Sequence, residues 1–438
     1  MYFKPSYLPQ NDAASRLVKT LAEELGLSLN KKNKIILASF IAVAKNANGT
    51  KFNWWTGNDN KKLKFWSLYE HVSNASCKKV YQLLMQHGYL LYQIGSTNEQ
   101  VIGMGFGKPT AVFAQRLPED LLKEAVFIEA NLPPVLVNRF ETYEDKLERK
   151  KKYPVAPKLG RTEVRKLGRD YALAYRPVME MNQFYSKHPL YNPIRNEFYS
   201  SARRVFHNES FKAGGRWYGG WTFFKSHQRH SFTIDQQPIV HVDINACFLS
   251  LISGLVGIPM NIGDTWRDAY APVVEQIPEI AEARTKVKQV IMELSGSGNA
   301  YKRDPGKDEM DKNEFNIIRN LCLEAYPALE TMEPNKTKLQ TTKGTWNFTN
   351  EISFHESSIL TNTLLKLKSL GVVAYGVHDC LIVKLGDEVL AADTFRSEFK
   401  SYVSSFQKQN KKPKLNLDVA LSLEFNASKK VRIRGGIN

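Results

Sequence analysis

The feature that most constrains this chain is an aspartate at the end of a β-branched segment. In IVHVDINACFLSL, residues 239–251, the run from Ile239 to Ile244 predicts a buried strand, and the residues from Ala246 onward predict a helix. Asp243 therefore lies at the end of a strand, directly before a helix begins. An ionised carboxylate is costly in a dry position of this kind unless a partner balances its charge, as a metal ion would.

A second aspartate lies in a predicted hairpin, LGVVAYGVHDCLIVKL, residues 370–385. Val372 to Tyr375 and Leu381 to Leu385 predict two strands, and the short connection between them contains Asp379. Two carboxylates on adjacent strands of one sheet can hold two divalent cations that align a hydroxyl group with a triphosphate. Ordinary turn chemistry, in which aspartate simply favours the turn, is the alternative explanation.

Between the two aspartates, Glu279 to Leu294 predicts a helix with a basic face. Arg284 and Lys288 are four residues apart and share that face, whereas Lys286 lies off it. The guanidinium of an arginine can make two hydrogen bonds to one phosphate group, and the ammonium of a lysine adds a compact positive charge. Together they can bind a nucleoside triphosphate. A solvated basic helix face is the alternative explanation.

The composition favours a polyanionic partner. The 438 residues include 61 Lys and Arg against 44 Asp and Glu, a net charge of +17, although a basic surface also aids solubility. The four cysteines are far apart and predict neither a zinc site nor a disulfide framework. The N-terminal residues do not have the pattern of a signal peptide, and no apolar run is long enough to span a membrane. A cytoplasmic protein without membrane contact is therefore expected.

The N-terminal part predicts a helical, winged-helix-like domain. A short helix that ends near Val72 precedes a helix from about Ala75 to His87 and a strand from Tyr89 to Ile94, for which Val101 to Met104 is the candidate hairpin partner. Helix, turn, helix and then a β-hairpin is the order of elements found in winged helices. Lys78 and Lys79 would then lie on the recognition helix and contact DNA. The same pattern also serves contacts between proteins.

A charged stretch that includes Arg149 to Lys152 and ends at Pro154 predicts an exposed linker. We therefore expect a domain boundary near residue 155, with an N-terminal domain over residues 1–155 and a second domain over residues 156–438. In the second domain short apolar strands alternate with helices, which predicts an α+β fold with a sizeable core.

Together the three motifs resemble motifs A, B and C of family A DNA polymerases and of single-subunit phage-type RNA polymerases. Residues 239–251 match motif A, residues 284–298 match motif B, and residues 370–385 match motif C, in the same order. The resemblance covers roughly residues 195–430 and implies a palm-and-fingers fold. It also implies a template-directed nucleotidyltransferase, a DNA polymerase or primase that acts on a DNA template and primer with dNTPs or NTPs.

The resemblance assigns roles to particular residues. It implies two Mg²⁺ ions, which Mn²⁺ can replace, at Asp243, Ile244 and Asp379, with Lys288 as a further catalytic residue. The residues that it implies for binding the nucleotide are Arg284, Lys288, Phe248 and Gly296. Those that it implies for binding nucleic acid are Arg216, Arg229, His378 and Tyr218, with Trp217 and Trp221 as rings that could stack on bases.

The sequence departs from the family at several places, two of them at positions where the family has an acidic residue. Cys380 stands where DNA polymerases of this family usually have Glu, and Phe248 stands where they have the Glu that discriminates the sugar. A small enzyme of this kind is similar to the polymerase-primases of phages, plasmids and other mobile genetic elements, which often act with a small accessory protein or a helicase. Two alternatives stay open: a catalytically inactive, polymerase-like replication initiator or regulator that binds DNA, and a nuclease, although neither motif contains a third carboxylate.

Overall fold

The computed structural model describes residues 3–55, 72–92, 109–141, 148, 156–260, 268–302, 310–332, 348–415, 419–426 and 429–433. The α-helices within these ranges are α1 (Asp12–Glu24), α2 (Lys31–Ala47), α3 (Asn74–Gln86), α4 (Glu119–Glu124), α5 (Arg161–Arg165), α6 (Gly168–Tyr185), α7 (Ser226–Arg229), α8 (Cys247–Val256), α9 (Ala271–Val274), α10 (Ala283–Ser297), α11 (Lys312–Ala325), α12 (Phe348–Ser369) and α13 (Glu388–Gln409). Short 3₁₀ helices span Gly220–Phe223 and Pro327–Thr331.

The β-strands of the same ranges are β1 (Tyr7–Pro9), β2 (Phe52–Trp55), β3 (Leu90–Tyr92), β4 (Pro109–Ala114), β5 (Phe127–Glu129), β6 (Val135–Val137), β7 (Leu190–Asn192), β8 (Glu197–Tyr199), β9 (Arg203–His207), β10 (Ser210–Tyr218), β11 (Thr233–Ile234), β12 (Gln237–Ile244), β13 (Ala374–Val377), β14 (Cys380–Lys384), β15 (Leu421–Asn426) and β16 (Lys429–Ile433). The mixture of helices and largely antiparallel sheets is consistent with the predicted α+β class. None of the described helices combines the length and the apolar character that crossing a bilayer requires.

The chain forms two compact units, and neither is a single continuous segment. The first contains Met1–Val205 and Tyr218–Gln236, and the second contains Phe206–Trp217 and Gln237–Asn438. This division differs from the predicted boundary near residue 155, because β5 and β8 lie on opposite sides of that position and pair in parallel within the first unit. The predicted linker at residues 149–152 lies outside the described residues.

The N-terminal part of the first unit packs around α2, whose side chains are buried along most of its length. Phe3 stacks on Trp54 with ring centroids 3.7 Å apart, which closes the core beside this helix. The helix predicted from about Ala75 to His87 is α3, confirmed with the Ser73 hydroxyl as its N-cap and with Gly88 left-handed after its end. Strands β2, β4 and β3 form an antiparallel sheet in that order, with β4 in the centre.

The second sheet of the first unit contains strands from distant parts of the chain. Its order is β1-β5-β8-β7-β11, and the pair β5–β8 is parallel whereas the other neighbours are antiparallel. A parallel pair needs a long crossover connection, which local sequence patterns do not reveal.

The second unit is built on a five-stranded antiparallel sheet with the order β13-β14-β12-β15-β16. The central strand β12 is buried on both sides, as its β-branched sequence predicts. Helix α12 packs against β13, and α8 packs against both α12 and α13. The predicted strand at residues 239–244, the helix after it and the hairpin around Asp379 are confirmed. A palm-and-fingers arrangement remains a prediction.

Candidate functional site

The pairing of β12 with β14 brings Asp243 and Asp379 to one place in the sheet. Asp243 is the register partner of Cys380, and the amide of Ile244 donates to the carbonyl of Asp379 at 3.2 Å. Asp379 itself lies in the two-residue turn between β13 and β14, where His378 has a φ of 56°. The two carboxylates that were predicted from separate motifs are therefore neighbours, one at the end of β12 and the other in the turn that leads into β14.

The electrostatics of this pair favour a bound cation. Burial raises the pKa of Asp243, and the charge of Asp379 raises it further, against the opposing charges of Lys430 and Lys288. Burial likewise raises the pKa of Asp379, against the charges of Arg216 and Lys288. Two carboxylates that resist joint ionisation are stabilised by a divalent cation, and their oxygen atoms are the donors that Mg²⁺ prefers. The residues present therefore fit a divalent metal ion.

A left-handed alanine turns the chain from β12 into α8 directly after Asp243. Ala246 has φ 48° and ψ 45°, a conformation that costs a residue other than glycine about 1–2 kcal/mol. Asn245 beside it is held from two sides: its amide donates to the carbonyl of Ala420 at 2.9 Å, and its side-chain oxygen accepts from the Ser422 hydroxyl at 2.7 Å. The strained turn thus lies next to the carboxylate and is held by its neighbours, as backbone strain at functional sites usually is.

A cavity of about 380 Å³ opens beside the carboxylates, which is within the size range of small-molecule sites. Its basic lining residues come from three elements: Arg216 on β10, Arg284 and Lys288 on α10, and Lys430 on β16. The other lining residues are Asp243, Ile244, Asn245, Ala246, Cys247, Phe248, Leu249, Asp268, Ala269, Tyr270, Ile291, Met292, His378 and Asp379. Residues from all three predicted motifs therefore line one cavity.

Helix α10 presents its basic face to this cavity. Arg284, Lys288 and Met292 are spaced by four residues and all line it. Lys286 points elsewhere, and its ammonium group pairs with the Glu314 carboxylate on α11 at 2.6 Å. The predicted separation of Lys286 from the face of Arg284 and Lys288 is confirmed.

Arg284 has a carboxylate partner in this structure. Its guanidinium pairs with Asp268 through Nε, and through Nη2 at 3.2 Å from Oδ1, and it lies over the Tyr270 ring at 5.2 Å. The Arg284 side chain is 53% exposed, so a dissolved anion can reach it. A phosphate group that used the same edge of the guanidinium would have to displace Asp268.

Arg216 is held by an acidic residue of α12. Its Nε and Nη2 donate to the two carboxylate oxygens of Glu356 at 3.1 and 2.6 Å, and its guanidinium lies 5.6 Å from the centre of the Phe248 ring. Burial raises the pKa of Glu356 to about 7, against the opposing charge of Arg216. Phe248 thus lines the cavity beneath a fixed arginine.

Sequence reasoning missed four residues of this site: Asp268, Tyr270, Glu356 and Lys430. Three of them have no local pattern that separates them from ordinary surface or core positions. For Lys430 the available signal was the basic run around residues 429–434, but nothing in the sequence placed that run beside Asp243. The pairing of β15 with β12 and β16 does so.

The remaining predicted site residues do not line this cavity. Gly296 is exposed near the C-terminal end of α10. Lys78 and Lys79 are exposed on α3, and Tyr218 is half-buried. Arg229 is buried in the first unit, where its guanidinium donates to a main-chain carbonyl.

The tryptophans near Arg216 belong to the cores of their units. Trp217 is 1% exposed, and its indole N–H donates to the Thr361 hydroxyl at 2.9 Å. Trp221 is fully buried and packs against the rings of Tyr185 and Tyr199. Because neither ring reaches the surface, both have a packing role, and the predicted stacking on bases does not apply to them.

The chain is similar to solved structures, whereas the comparisons with protein-family models and with curated proteins found no match. Among solved structures, the chain is similar to the POL domain of Pol1 from M. smegmatis, which was solved in complex with a DNA primer-template and dNTP. The TM-score is 0.32 at 10% sequence identity, and the match covers 95% of this chain and 66% of that chain.

Proposed function

We propose that the chain is a template-directed nucleotidyltransferase, a DNA polymerase or primase that joins dNTPs or NTPs on a DNA template. The observation that carries this proposal is the meeting of Asp243, Asp379 and Lys288, from three separate motifs, in one cavity. Phosphoryl transfer needs oxygen ligands for metal ions and cations for a polyphosphate, and the cavity offers both.

Asp243 and Asp379 would hold Mg²⁺ or Mn²⁺ through their carboxylates. Ile244, the last residue of β12, would be the third residue of the metal site. When bound, the ions stabilise negative charge on the entering and leaving oxygens of the transfer. The sheet contributes rigidity, because the hydrogen bond from Ile244 to Asp379 fixes one carboxylate-bearing backbone against the other. Preorganised ligands of this kind lose little entropy when substrate arrives.

The polyphosphate of the nucleotide would lie along α10. Lys288 supplies a point charge that needs no rearrangement, and Arg284 supplies a fork once the phosphate displaces Asp268. Lys430 adds a further cation to the same cavity from β16. The proposal includes Gly296 as a contact of the same helix, outside the cavity.

The sugar and the primer end would meet Phe248, Arg216 and His378, which line the same cavity. The Phe248 ring offers a bulky wall against a ribose 2′-hydroxyl, which favours dNTPs over NTPs. Arg216 and His378 would contact the primer–template end, with Tyr218 as a further proposed contact. Arg229, being buried, acts in this proposal only through the fold of its segment.

The proposal is tested by incorporation of labelled nucleotide on a single-stranded template, with and without a primer. dNTPs and NTPs are supplied separately, in Mg²⁺ and in Mn²⁺, with Asp379→Asn as the control. Incorporation that the variant lacks supports the proposal, and incorporation without a primer identifies a primase.

Two other outcomes would replace the proposal. Tight DNA binding without incorporation, unchanged in Asp379→Asn and indifferent to Mg²⁺, would support the inactive initiator or regulator. Degradation of labelled DNA in Mg²⁺ without nucleotides would support a nuclease.

Replacing Lys288 with alanine should lower kcat/KM for the nucleotide by roughly 10²-fold, because a cation beside the transferred phosphate is lost. Lys286→Ala is the matched control, since it removes the same charge from the same helix away from the cavity. Steady-state incorporation at varied nucleotide concentration measures both. Equal losses in the two variants would show that only the net charge of α10 matters.

The N-terminal part of the first unit is proposed to be a winged-helix module that binds duplex DNA. Helix α3 lies in sequence between β2 and β3 of the three-stranded sheet, and its Lys78 and Lys79 are exposed.

Replacing both lysines with alanine should weaken DNA affinity at low salt and reduce the slope of log K against log salt by about 2. Fluorescence anisotropy measures this, with Lys400→Ala/Lys408→Ala as the charge-matched control. An unchanged slope in the α3 variant would show that this helix does not contact DNA.

A further inference from the structure

We propose that Glu356 is a positioning residue, which holds Arg216 at the carboxylate pair in the orientation that the reaction uses. This inference rests on the proposed function, although its geometric part can be measured without any activity. Glu356 lies on α12, in none of the three motifs, and it does not line the cavity itself.

The ion pair between Glu356 and Arg216 has the geometry of a clamp. Both carboxylate oxygens of Glu356 accept hydrogen bonds from one edge of the guanidinium, at 3.1 and 2.6 Å. A bidentate pair fixes the plane of the guanidinium as well as its place. The Glu356 side chain is 2% exposed and the Arg216 side chain 26%, so the acid is buried while the base reaches the cavity.

Burying the Glu356 carboxylate costs free energy, and the fold nevertheless buries it. The raised pKa of Glu356 shows that removing the carboxylate from water disfavours its ionised form. If the Glu356 side chain only filled space, an apolar residue of similar size could take its place without loss of stability. The carboxylate therefore has to serve its partner, which is Arg216.

The strand that carries Arg216 is docked along the same helix. The Ser357 hydroxyl donates to the carbonyl of Gly214 at 2.9 Å, and the Thr361 hydroxyl accepts from the indole of Trp217. These contacts place the backbone of β10, but they leave the long Arg216 side chain to be oriented by other groups. Glu356 fixes its edge, and the Phe248 ring lies against the guanidinium.

Arg216 is close enough to the reacting centre to act on it. Arg216 lines the same cavity as Asp243 and Asp379, so its guanidinium and the two carboxylates face one space. A guanidinium at this point balances negative charge beside the site where nucleotide and primer would meet. A shift of about 1 Å in such a group can cost roughly 100-fold in rate.

The first test is a double-mutant cycle on incorporation. Glu356→Gln keeps the shape of the side chain and should lower kcat by roughly 10–100-fold, with little change in KM for the nucleotide. If Glu356 acts through Arg216, the double variant Glu356→Gln/Arg216→Gln should be no slower than Arg216→Gln alone. Effects that multiply in the double variant, or a wild-type kcat in Glu356→Gln, would overturn the proposal. Glu351→Gln, on the same helix and away from Arg216, is the matched control.

The second test measures how easily a reagent reaches the Arg216 guanidinium. Phenylglyoxal modifies accessible guanidinium groups, and peptide mass spectrometry gives the rate at each arginine. Glu356→Gln should speed modification of Arg216 several-fold while Arg284, which has its own partner in Asp268, keeps its rate. An unchanged rate at Arg216 would overturn the proposal. This result stands whether or not the wild-type protein incorporates nucleotide, so a failed polymerase assay leaves the test intact.

Where Glu356→Gln lowers the yield of folded protein, Glu356→Asp supplies the same measurements. The shorter side chain keeps the charge and cannot reach both nitrogens from the same backbone position. It should give intermediate values of kcat and of the Arg216 modification rate. Wild-type values of both in a folded Glu356→Asp protein would show that the geometry of the clamp is unimportant.

Discussion

Asp379→Asn should reduce nucleotide incorporation by roughly 10³-fold or more, about 4 kcal/mol of transition-state stabilisation, with Asp243→Asn equally severe. Asparagine keeps the size of the side chain and suits a turn, so the hairpin should remain folded. What it removes is one of two carboxylate charges in a shared site. Single-turnover incorporation measures the loss, and Asp387→Asn, at the other end of β14, is the control. A residual rate within tenfold of wild type in either variant would show that the replaced aspartate is not a catalytic residue.

The same substitution should have the opposite effect on stability when no metal is present. Folding raises the pKa of both aspartates, so the folded protein binds protons more tightly than the unfolded chain. The contribution of the pair to stability therefore grows as pH falls and is lost as pH rises through the raised pKa values. In a chelator, Asp379→Asn should match or exceed the wild-type Tm at pH 8, and the difference should shrink at pH 6.

Added Mg²⁺ or Mn²⁺ should reverse this order, because an ion that binds only the folded protein stabilises it by mass action. Wild-type Tm should rise with the concentration of the ion, and Asp379→Asn should respond much less. Scanning calorimetry at pH 8 with and without the ion measures both effects. A wild-type Tm that ignores both ions would contradict the metal site itself.

Gly376→Val should destabilise the second unit by about 3 kcal/mol. Gly376 lies in β13, and a Cβ atom there would stand 2.8 Å from Cδ2 of Leu360 and 3.4 Å from Leu364 on α12. Leu360 is 1% exposed, so a shift of its side chain would disturb the packing of its buried neighbours. The strand would have to shift, and the turn with Asp379 would shift with it. Chemical denaturation measures the loss of stability, and incorporation should fall in the folded fraction as well.

A compensating substitution separates crowding from other causes. Leu360→Ala alone should cost about 2–5 kcal/mol through the cavity that it leaves. Combined with Gly376→Val it should cost clearly less than the sum of the single effects, because the valine enters that cavity. Additive losses would show that crowding against Leu360 is not the cause of the destabilisation.

The local parts of the site were predictable because their signals are local. The alternation from β-branched residues to a helical pattern around Asp243 marks a strand and a helix, and both are present. The four-residue spacing of Arg284 and Lys288 places both side chains on one face of the predicted helix, which is present. The hairpin at Asp379 follows from two apolar runs with a short connection.

The partners of these residues were not predictable, since they depend on contacts across long stretches of sequence. Glu356 follows Arg216 by 140 residues, and its helix shows no pattern that marks a buried acid. Lys430 reaches Asp243 because β15 pairs with β12 in a particular register, which no local propensity specifies. The division of the chain was missed for the same reason, as the pairing of β5 with β8 joins residues on both sides of the expected boundary.

The chain passes between its two units three times, after residues 205, 217 and 236. On the ribosome, the first unit therefore stays incomplete until residue 236 has emerged, and β10 emerges long before the helix that receives Arg216. A nascent chain of this design carries β10 before the helix that receives Arg216 and Trp217 has been made, so those side chains stay without their partners on α12 until then. Dissecting the gene at a single point yields no intact unit, so a fragment that begins at residue 237 would lack Arg216 and a fragment that ends at residue 205 would lack Trp221.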